Sequence, residues 1–261
     1  MPRALLPEAV KEVLVTRDEE VLRVTLNRPA KRNALSRAML AALRKAFREH
    51  ARDRGLKLAI LGATGERAFA AGGDLADLGR ARTRAAARVL SRNAMAALDA
   101  VHEFPLPVIA ALNGLAIGGG AELAVACDFR VAARHAEIGF VQGRLNIGTA
   151  FGGGTLLVDL LGARKALLAM ATSRVYSAHE ALQLGLVDAV ADEGETLEHA
   201  LARFGAPILA QRPQVLRAFK ALALAARGPR AARKRLEVQR MVDTWTHPDH
   251  WSAADRILKP Q

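Results

Sequence analysis

One stretch decides the fold: Pro107-Val-Ile-Ala-Ala-Leu-Asn-Gly-Leu-Ala-Ile-Gly-Gly-Gly-Ala-Glu-Leu123. Its first part, Val108–Leu112, is a short apolar run typical of a buried strand. Asn113 and Gly114 indicate a turn, and three glycines then lead into residues 121–126, which have helical character. A glycine-rich turn between a strand and a helix lets a ligand approach backbone N–H groups closely. The stretch therefore predicts a tight strand-to-helix turn whose backbone a ligand can approach.

Strands and helices alternate around this stretch. The predicted elements before and after it are a β-hairpin over residues 12–27, a helix capped by Ser36, a strand over 56–61, a helix over 83–102 and a strand over Phe129–Ala132. Such alternation predicts an α/β fold, because parallel strands need a long return path and helices supply it. The remainder, residues 152–258, is predicted to be almost all helical.

The composition excludes several classes of protein. The chain has 261 residues, of which 51% are hydrophobic and 25% charged, as in ordinary folded proteins. No apolar run reaches the ~20 residues needed to span a bilayer, and residues 1–10 lack the apolar stretch of a secretory signal. We therefore expect a cytoplasmic protein. Cys127 is the only cysteine, which excludes an intramolecular disulfide and a cysteine-based metal cluster.

The net charge of +12 favours anionic partners such as phosphates, coenzyme A or nucleic acid. The basic residues are spread along the whole chain, and the aromatic clusters typical of RNA-binding domains are missing. A solvated basic surface is therefore favoured over a dedicated nucleic-acid site. His247 and His250 lie three residues apart, but this spacing resembles known metal sites only loosely, so no metal is expected.

A second glycine-bearing segment, Phe69-Ala-Ala-Gly-Gly-Asp-Leu75, also follows a predicted strand and precedes helical sequence. Neither segment has the GxGxxG spacing of a dinucleotide site or the Gly-Lys-Ser/Thr of a P-loop. Either segment alone indicates no more than a tight turn, since glycine serves turns generally. The two become informative together with the rest of the chain.

Four motifs occur in the order typical of the crotonase (enoyl-CoA hydratase/isomerase) superfamily, which this chain resembles. They are Asn27-Arg-Pro-Ala-Lys-Arg-Asn-Ala-Leu35, the segment 69–75, Pro107-Val-Ile-Ala-Ala-Leu-Asn-Gly114 and Gly118-Gly-Gly-Ala-Glu-Leu123. The match continues through Cys127-Asp-Phe-Arg130, Phe140-Val-Gln142, Gly152-Gly-Gly-Thr155 and Ala178-His-Glu-Ala-Leu-Gln-Leu-Gly-Leu-Val187. It covers nearly the whole chain.

The resemblance implies an α/β fold with a ββα spiral core over residues 1–200, which binds acyl-CoA. Residues 201–261 would form a C-terminal helical region for oligomerisation or as a lid. The same resemblance implies a homotrimer or hexamer and an enoyl-CoA hydratase-like lyase of fatty acid metabolism. It implies no cofactor, because coenzyme A is part of the substrate.

The resemblance also implies a site. By position, the backbone N–H groups of Gly73 and Gly119 would form an oxyanion hole, each worth about 3 kcal/mol to the enolate of a thioester. Glu122 aligns with one of the two catalytic glutamates of hydratases and is the candidate acid and base. The implied substrate-binding residues are Lys31, Arg32, Ala34, Ala71, Asp74, Leu75, Leu115, Gly118 and Arg144. Of these, Lys31 and Arg32 would lie beside the CoA phosphates, while Asp74 can instead cap its turn.

One departure from the family pattern affects the reaction. The second hydratase glutamate should stand four residues after Phe140, where this chain has Arg144, and a guanidinium cannot act as a base. Hydration by Glu122 alone is the first hypothesis. A local resemblance to the ethylmalonyl-CoA decarboxylase branch supports a second, in which Arg144 holds the carboxylate lost as CO₂. Arg144 can also simply pair with Glu122 or Asp128. An RNA-binding or non-catalytic trimeric homologue is the alternative of another class.

Overall fold

The computed structural model describes residues 11–225, 235, 238–239, 241–242, 244–246 and 248–258. The predictions for the N-terminal segment 1–10 and for His247 lie outside these residues. The proposed boundary at residue 200 between a core and a C-terminal region stays a prediction.

Ten strands are described. They are β1 Val13–Asp18, β2 Val21–Leu26, β3 Leu58–Ala63, β4 Ala68–Ala70, β5 Val108–Leu112, β6 Leu115–Ile117, β7 Phe129–Ala132, β8 Glu137–Gly139, β9 Val175–Ser177 and β10 Ala189–Val190. The helices are α1 Arg37–His50, α2 Leu75–Leu78, α3 Arg84–His102, α4 Gly119–Ala126, α5 Gly153–Thr172, α6 Ala178–Leu184, α7 Leu197–Leu209, α8 Pro213–Ala225 and α9 Pro248–Leu258. Two 3₁₀ turns span Pro29–Lys31 and Gln142–Leu145.

The strands form two sheets between which the chain alternates. The larger sheet has the order β1-β2-β3-β5-β7-β10, and only its β1–β2 pair is antiparallel. The smaller sheet has the order β4-β6-β8-β9, and only its β8–β9 pair is antiparallel. Each turn of the chain places one strand in the larger sheet and the following strand in the smaller sheet, as the pairs β3–β4, β5–β6 and β7–β8 show. This spiral confirms the predicted α/β class.

The local predictions are largely confirmed. The hairpin forms as β1 and β2, and Ser36 caps α1 by accepting a hydrogen bond from the Met39 N–H at 3.0 Å. The apolar side of α1 is buried, and its Phe47 ring meets Phe104 edge-to-face at 5.4 Å between centroids. The prediction that residues 152–258 are almost all helical was wrong at β9 and β10. These strands have three and two residues, so sheet pairing rather than local sequence defines them.

A buried basic residue ties the core together. Arg130 on β7 is 1% exposed, and its guanidinium donates to the Leu186 carbonyl at 2.8 Å and pairs with Asp188 at 2.8 Å. The neighbouring Asp128 pairs with Lys220 of α8, so an ion pair with little exposure joins that helix to the core. Buried charges are tolerated only when they are paired in this way.

Candidate active site

The two predicted donor glycines lie at the same edge of the smaller sheet. Strands β4 and β6 are parallel neighbours, and each runs directly into a turn and a helix. Gly73 follows β4 and Gly119 follows β6, so their backbones meet. A Cβ atom built on Gly119 would lie only 3.3 Å from the Gly73 nitrogen.

Neither N–H group of this pair donates a hydrogen bond within the described part of the chain. Leu35 holds the first loop by donating its N–H to the Gly72 carbonyl at 2.8 Å and accepting from Asp74 N–H at 3.0 Å, which leaves the Gly73 N–H between them unused. Gly119 is the first residue of α4, where an N–H has no partner inside the helix. Both groups are therefore available to an acceptor.

Glycine is required where the loop between β6 and α4 meets β4. Gly118 has φ +54° and ψ −121°, a conformation that other residues rarely adopt. A Cβ atom on Gly120 would lie 2.0 Å from the Ala70 carbonyl oxygen, so only glycine lets α4 approach this strand. The triple glycine thus fixes the position of the second donor.

Glu122 lies one turn into α4 and is 2% exposed. One carboxylate oxygen accepts from the Gln142 amide at 2.9 Å and from the Ala150 N–H at 3.3 Å. The other accepts from the N–H groups of Phe151 and Gly153, at 2.8 and 3.0 Å. Four N–H donors compensate the carboxylate for its removal from water and hold it in one orientation.

The donor pair and Glu122 line one cavity of about 490 Å³, whose wall is mainly apolar. The Phe151 ring packs over both donor loops, because its atoms would lie 2.7 Å from a Cβ on Gly119 and 3.6 Å from a Cβ on Gly73. The lining residues are Arg32, Ala71, Gly72, Gly73, Leu75, Leu78, Ile117, Gly118, Gly119, Glu122, Val141, Gln142, Arg144, Leu145, Ile147, Gly148, Ala150, Phe151, Trp245, Arg256 and Ile257.

The cavity contains most of the residues predicted for the site. All three predicted catalytic residues line it, and so do the predicted binding residues Arg32, Ala71, Leu75, Gly118 and Arg144. The others lie elsewhere: Lys31 ends an exposed 3₁₀ turn, Ala34 follows that turn and Leu115 belongs to β6. Asp74 caps α2 through the N–H groups of Ala76 and Asp77, and it pairs with Arg28 at 2.9 Å. This capping role was the alternative considered for Asp74.

Arg144 does not pair with either of the acids suggested for it. Its guanidinium donates to the Ser173 carbonyl at 2.7 Å, while Glu122 is bound by Gln142 and Asp128 by Lys220. That suggestion was wrong, because both carboxylates already have partners supplied by other elements. Arg144 instead stands in the cavity wall.

Several functional positions were missed from the sequence. Gln142 lay in a recognised motif, but nothing indicated that its amide would meet Glu122. Phe151 stands directly before the motif 152–155 but is not part of it, and the contributions of Trp245, Arg256 and Ile257 carried no local signal. Arg256 and Ile257 reach the cavity because α9 packs against the turn at Gln142–Leu145 and against α2, and Trp245 lies just before α9 in the chain.

No group of three or more His, Cys, Asp or Glu residues that could hold a metal ion occurs in the described part of the chain. The ring of His250 is buried and its Nδ1 lies 2.9 Å from the Leu145 carbonyl oxygen. Within the same residues, no helix is long and apolar enough to cross a membrane.

Comparisons with known proteins agree with this geometry. The family model described as enoyl-CoA hydratase/isomerase matches residues 16–253. The 2,3-dehydroadipyl-CoA hydratase of Escherichia coli (strain K12) is 36% identical over 83% of this chain and 86% of its own length. The crotonyl-CoA hydratase of Syntrophomonas wolfei is 32% identical over 82% of each chain. A solved enoyl-CoA hydratase structure from Bacillus anthracis is 31% identical, with a TM-score of 0.76 over 87% of this chain and 90% of that one. The chain belongs to the enoyl-CoA hydratase/isomerase family.

Proposed function

We propose that this enzyme adds water across the double bond of an α,β-unsaturated acyl-CoA thioester. One observation carries the proposal: two unused backbone N–H groups, at Gly73 and Gly119, share a cavity with the buried carboxylate of Glu122. The relatives named as hydratases support the same reaction.

The thioester oxygen would accept hydrogen bonds from both glycine N–H groups. Negative charge grows on that oxygen as the enolate forms, and donors already in place stabilise it without reorganisation. Gly119 adds the partial positive charge at the N-terminus of α4. These groups therefore lower the barrier to enolate formation.

Glu122 would act first as a base and then as an acid. It removes a proton from water while the water oxygen bonds to the β-carbon, and the electrons of the double bond move to the thioester oxygen. The protonated Glu122 then returns that proton to the α-carbon, and the carbonyl is restored. The buried Oε1 atom of Gln142 accepts no hydrogen bond in the described chain, so it can help to hold the water. One carboxylate thus suffices for the proton balance.

The test is hydration of crotonyl-CoA, measured as loss of the enoyl absorbance, by wild-type protein and by Glu122→Gln. The amide has the same shape but cannot take a proton, so kcat should fall by a factor on the order of 10² to 10⁴. Glu49→Gln, a change on the exposed side of α1, is the matched control and should retain wild-type activity. Full activity of Glu122→Gln would contradict the proposal.

A second candidate is decarboxylation of a 2-carboxyacyl-CoA. The position of Arg144 in the cavity wall favours it, because loss of CO₂ forms the same enolate without a base. Ethylmalonyl- and methylmalonyl-CoA, followed by product mass, test this candidate alongside crotonyl-CoA. Release of CO₂ without hydration would replace the first proposal by the second.

The finer properties implied by the resemblance remain part of this proposal. They are a homotrimeric or hexameric assembly, a cytoplasmic location, a role in fatty acid metabolism and the absence of a cofactor. A non-catalytic or RNA-binding role is disfavoured, because the unused N–H groups of Gly73 and Gly119 face a cavity with Glu122.

A further inference from the structure

The cavity carries an excess of positive charge. Among the described residues of its wall, Glu122 is the only acid, whereas three are arginines: Arg32, Arg144 and Arg256. Glu122 accepts hydrogen bonds from Gln142, Ala150, Phe151 and Gly153, and none of the described ion pairs joins it to these guanidinium groups. The resemblance places Arg32 beside the CoA phosphates, but an apolar acyl chain would offer no anion to Arg144.

None of the three forms an ion pair with an acid in the described chain. Arginines close by do: Arg28 pairs with Asp74 at 2.9 Å, and Arg82 lies 3.9 Å from Asp255. The positive charge at the cavity is therefore not balanced by the described protein itself. Arg144 is exposed to solvent, and a carboxylate would give its guanidinium charge-assisted hydrogen bonds, which are stronger than neutral ones.

Arg144 and Arg32 belong to different elements of the cavity wall. The carbonyl of Arg32 accepts from the Ala71 N–H at 3.0 Å, which places Arg32 beside the first donor loop. Arg144 belongs to the 3₁₀ turn that presents Gln142 to Glu122. Arg144 therefore lies two residues from the side chain that contacts Glu122, whereas Arg32 adjoins the loop that carries Gly73.

The Arg144 guanidinium is anchored but not saturated. One nitrogen donates to the Ser173 carbonyl at 2.7 Å, and no other hydrogen bond from this side chain is made to the described residues. A guanidinium has five N–H donors, and two parallel ones match a carboxylate. The anchor fixes the fork at the wall and leaves donors for a ligand.

We propose that Arg144 forms a carboxylate subsite, so that the preferred substrate is a 2-enoyl-CoA with a carboxylate at the far end of a short acyl chain. This inference rests on the proposed hydration at the same cavity. It assigns to Arg144 the choice of substrate and leaves the proton transfers to Glu122.

Binding is tested first, with saturated ligands that cannot react. Isothermal titration compares adipyl-CoA with hexanoyl-CoA, and glutaryl-CoA with pentanoyl-CoA; the members of each pair differ in the terminal carboxylate. Wild-type protein should bind at least one carboxylated ligand more tightly than its uncarboxylated partner, by a factor on the order of 10 to 100. This factor corresponds to the usual contribution of charged hydrogen bonds. Arg144→Gln should remove this preference without weakening hexanoyl-CoA. Arg92→Gln, on the exposed side of α3, should keep it.

Turnover then separates the two proposals. Wild-type protein should hydrate 2,3-dehydroadipyl-CoA with a higher kcat/KM than 2-hexenoyl-CoA, and Arg144→Gln should raise KM for the former alone. Equal affinities within both ligand pairs, or equal weakening of both members by Arg144→Gln, would overturn the subsite. A third outcome is possible, in which neither enoyl-CoA is hydrated but the carboxylate preference in binding persists and depends on Arg144. That outcome would support the carboxylate subsite and contradict the proposed hydration.

Discussion

At the scale of single residues, the site depends on how one carboxylate is held. Glu122 is buried, yet both of its oxygens meet N–H donors, three of them from the backbone between Ala150 and Gly153. The fourth donor, Gln142, is the only side chain among the four. It can therefore be removed without disturbing the backbone donors.

Gln142→Leu should lower kcat for enoyl-CoA hydration about tenfold, with little change in KM. The substitution removes the shorter of the two described hydrogen bonds to one carboxylate oxygen, and losing a charged hydrogen bond costs about 1.5 kcal/mol. Steady-state kinetics with crotonyl-CoA measure this effect. Gln211→Leu, at an exposed position, serves as the control, and unchanged kcat in Gln142→Leu would show that the amide does not position Glu122.

Sequence patterns identified the residues with defined backbone positions. Gly73, Gly119 and Glu122 lie in motifs shared with the family that the chain resembles, so they could be named in advance as candidates. The partner of Arg144 could not be named. Which carboxylate a guanidinium pairs with depends on the other donors that compete for that carboxylate. Asp128 pairs with Lys220, which lies 92 positions further along the chain.

At the scale of elements, the site depends on the contact between α4 and α5. The N-terminus of α5 approaches Glu122 so closely that a Cβ atom on Gly153 would lie 2.3 Å from the Glu122 Cβ. The same closeness lets the Gly153 N–H reach the carboxylate. Glycine at this position therefore serves both the packing of α5 on α4 and the hydrogen bond to Glu122.

Gly153→Ala should move Glu122 or α5 and reduce hydration at least about tenfold, with a loss of stability of about 1–3 kcal/mol from overpacking. Thermal unfolding and kcat together measure the effect. Gly62→Ala is the matched control, because its Cβ would meet only the Ala111 Cβ, at an ordinary 3.8 Å. Wild-type activity and stability in Gly153→Ala would contradict this account.

The long elements were predictable and the short ones were not. Helices α1 and α3 have strong apolar periodicity and capping residues, Ser36 and Thr83, within their own sequence. Strands β9 and β10 exist because β8 and β7 offer them hydrogen bonds. A few residues carry too little local preference to identify a strand that its neighbours create.

At the scale of the whole molecule, the C-terminal helix α9 closes the cavity through contacts with distant segments. His250 is central to them: it lies between Trp245 and Trp251 and hydrogen-bonds the Leu145 carbonyl next to the site. Burial lowers the pKa of His250, the nearby charge of Arg82 lowers it further, and the Leu145 hydrogen bond opposes the shift. The folded protein therefore favours the neutral form of the His250 ring.

Stability should therefore fall on acidification. Since the folded pKa lies below the unfolded value of about 6.5, the contribution of neutral His250 is complete above that pH and is lost as the pH falls below it. Urea unfolding between pH 7.5 and 5 measures the slope. His250→Gln should flatten the slope and exposed His179→Gln should not; the same slope in His250→Gln and wild type would refute the assignment.

The sequence by itself determined the α/β class and the strand-turn-helix units, because these follow from local periodicity and glycine-bearing turns, and its ordered motifs indicated Gly73, Gly119 and Glu122 through the family resemblance. Tertiary structure alone decided the rest of the site. The donors to Glu122, the anchoring of Arg144 on Ser173 and the α9 wall join segments far apart in the chain. Such contacts depend on which groups the folded chain brings together in three dimensions, and no local pattern encodes that outcome.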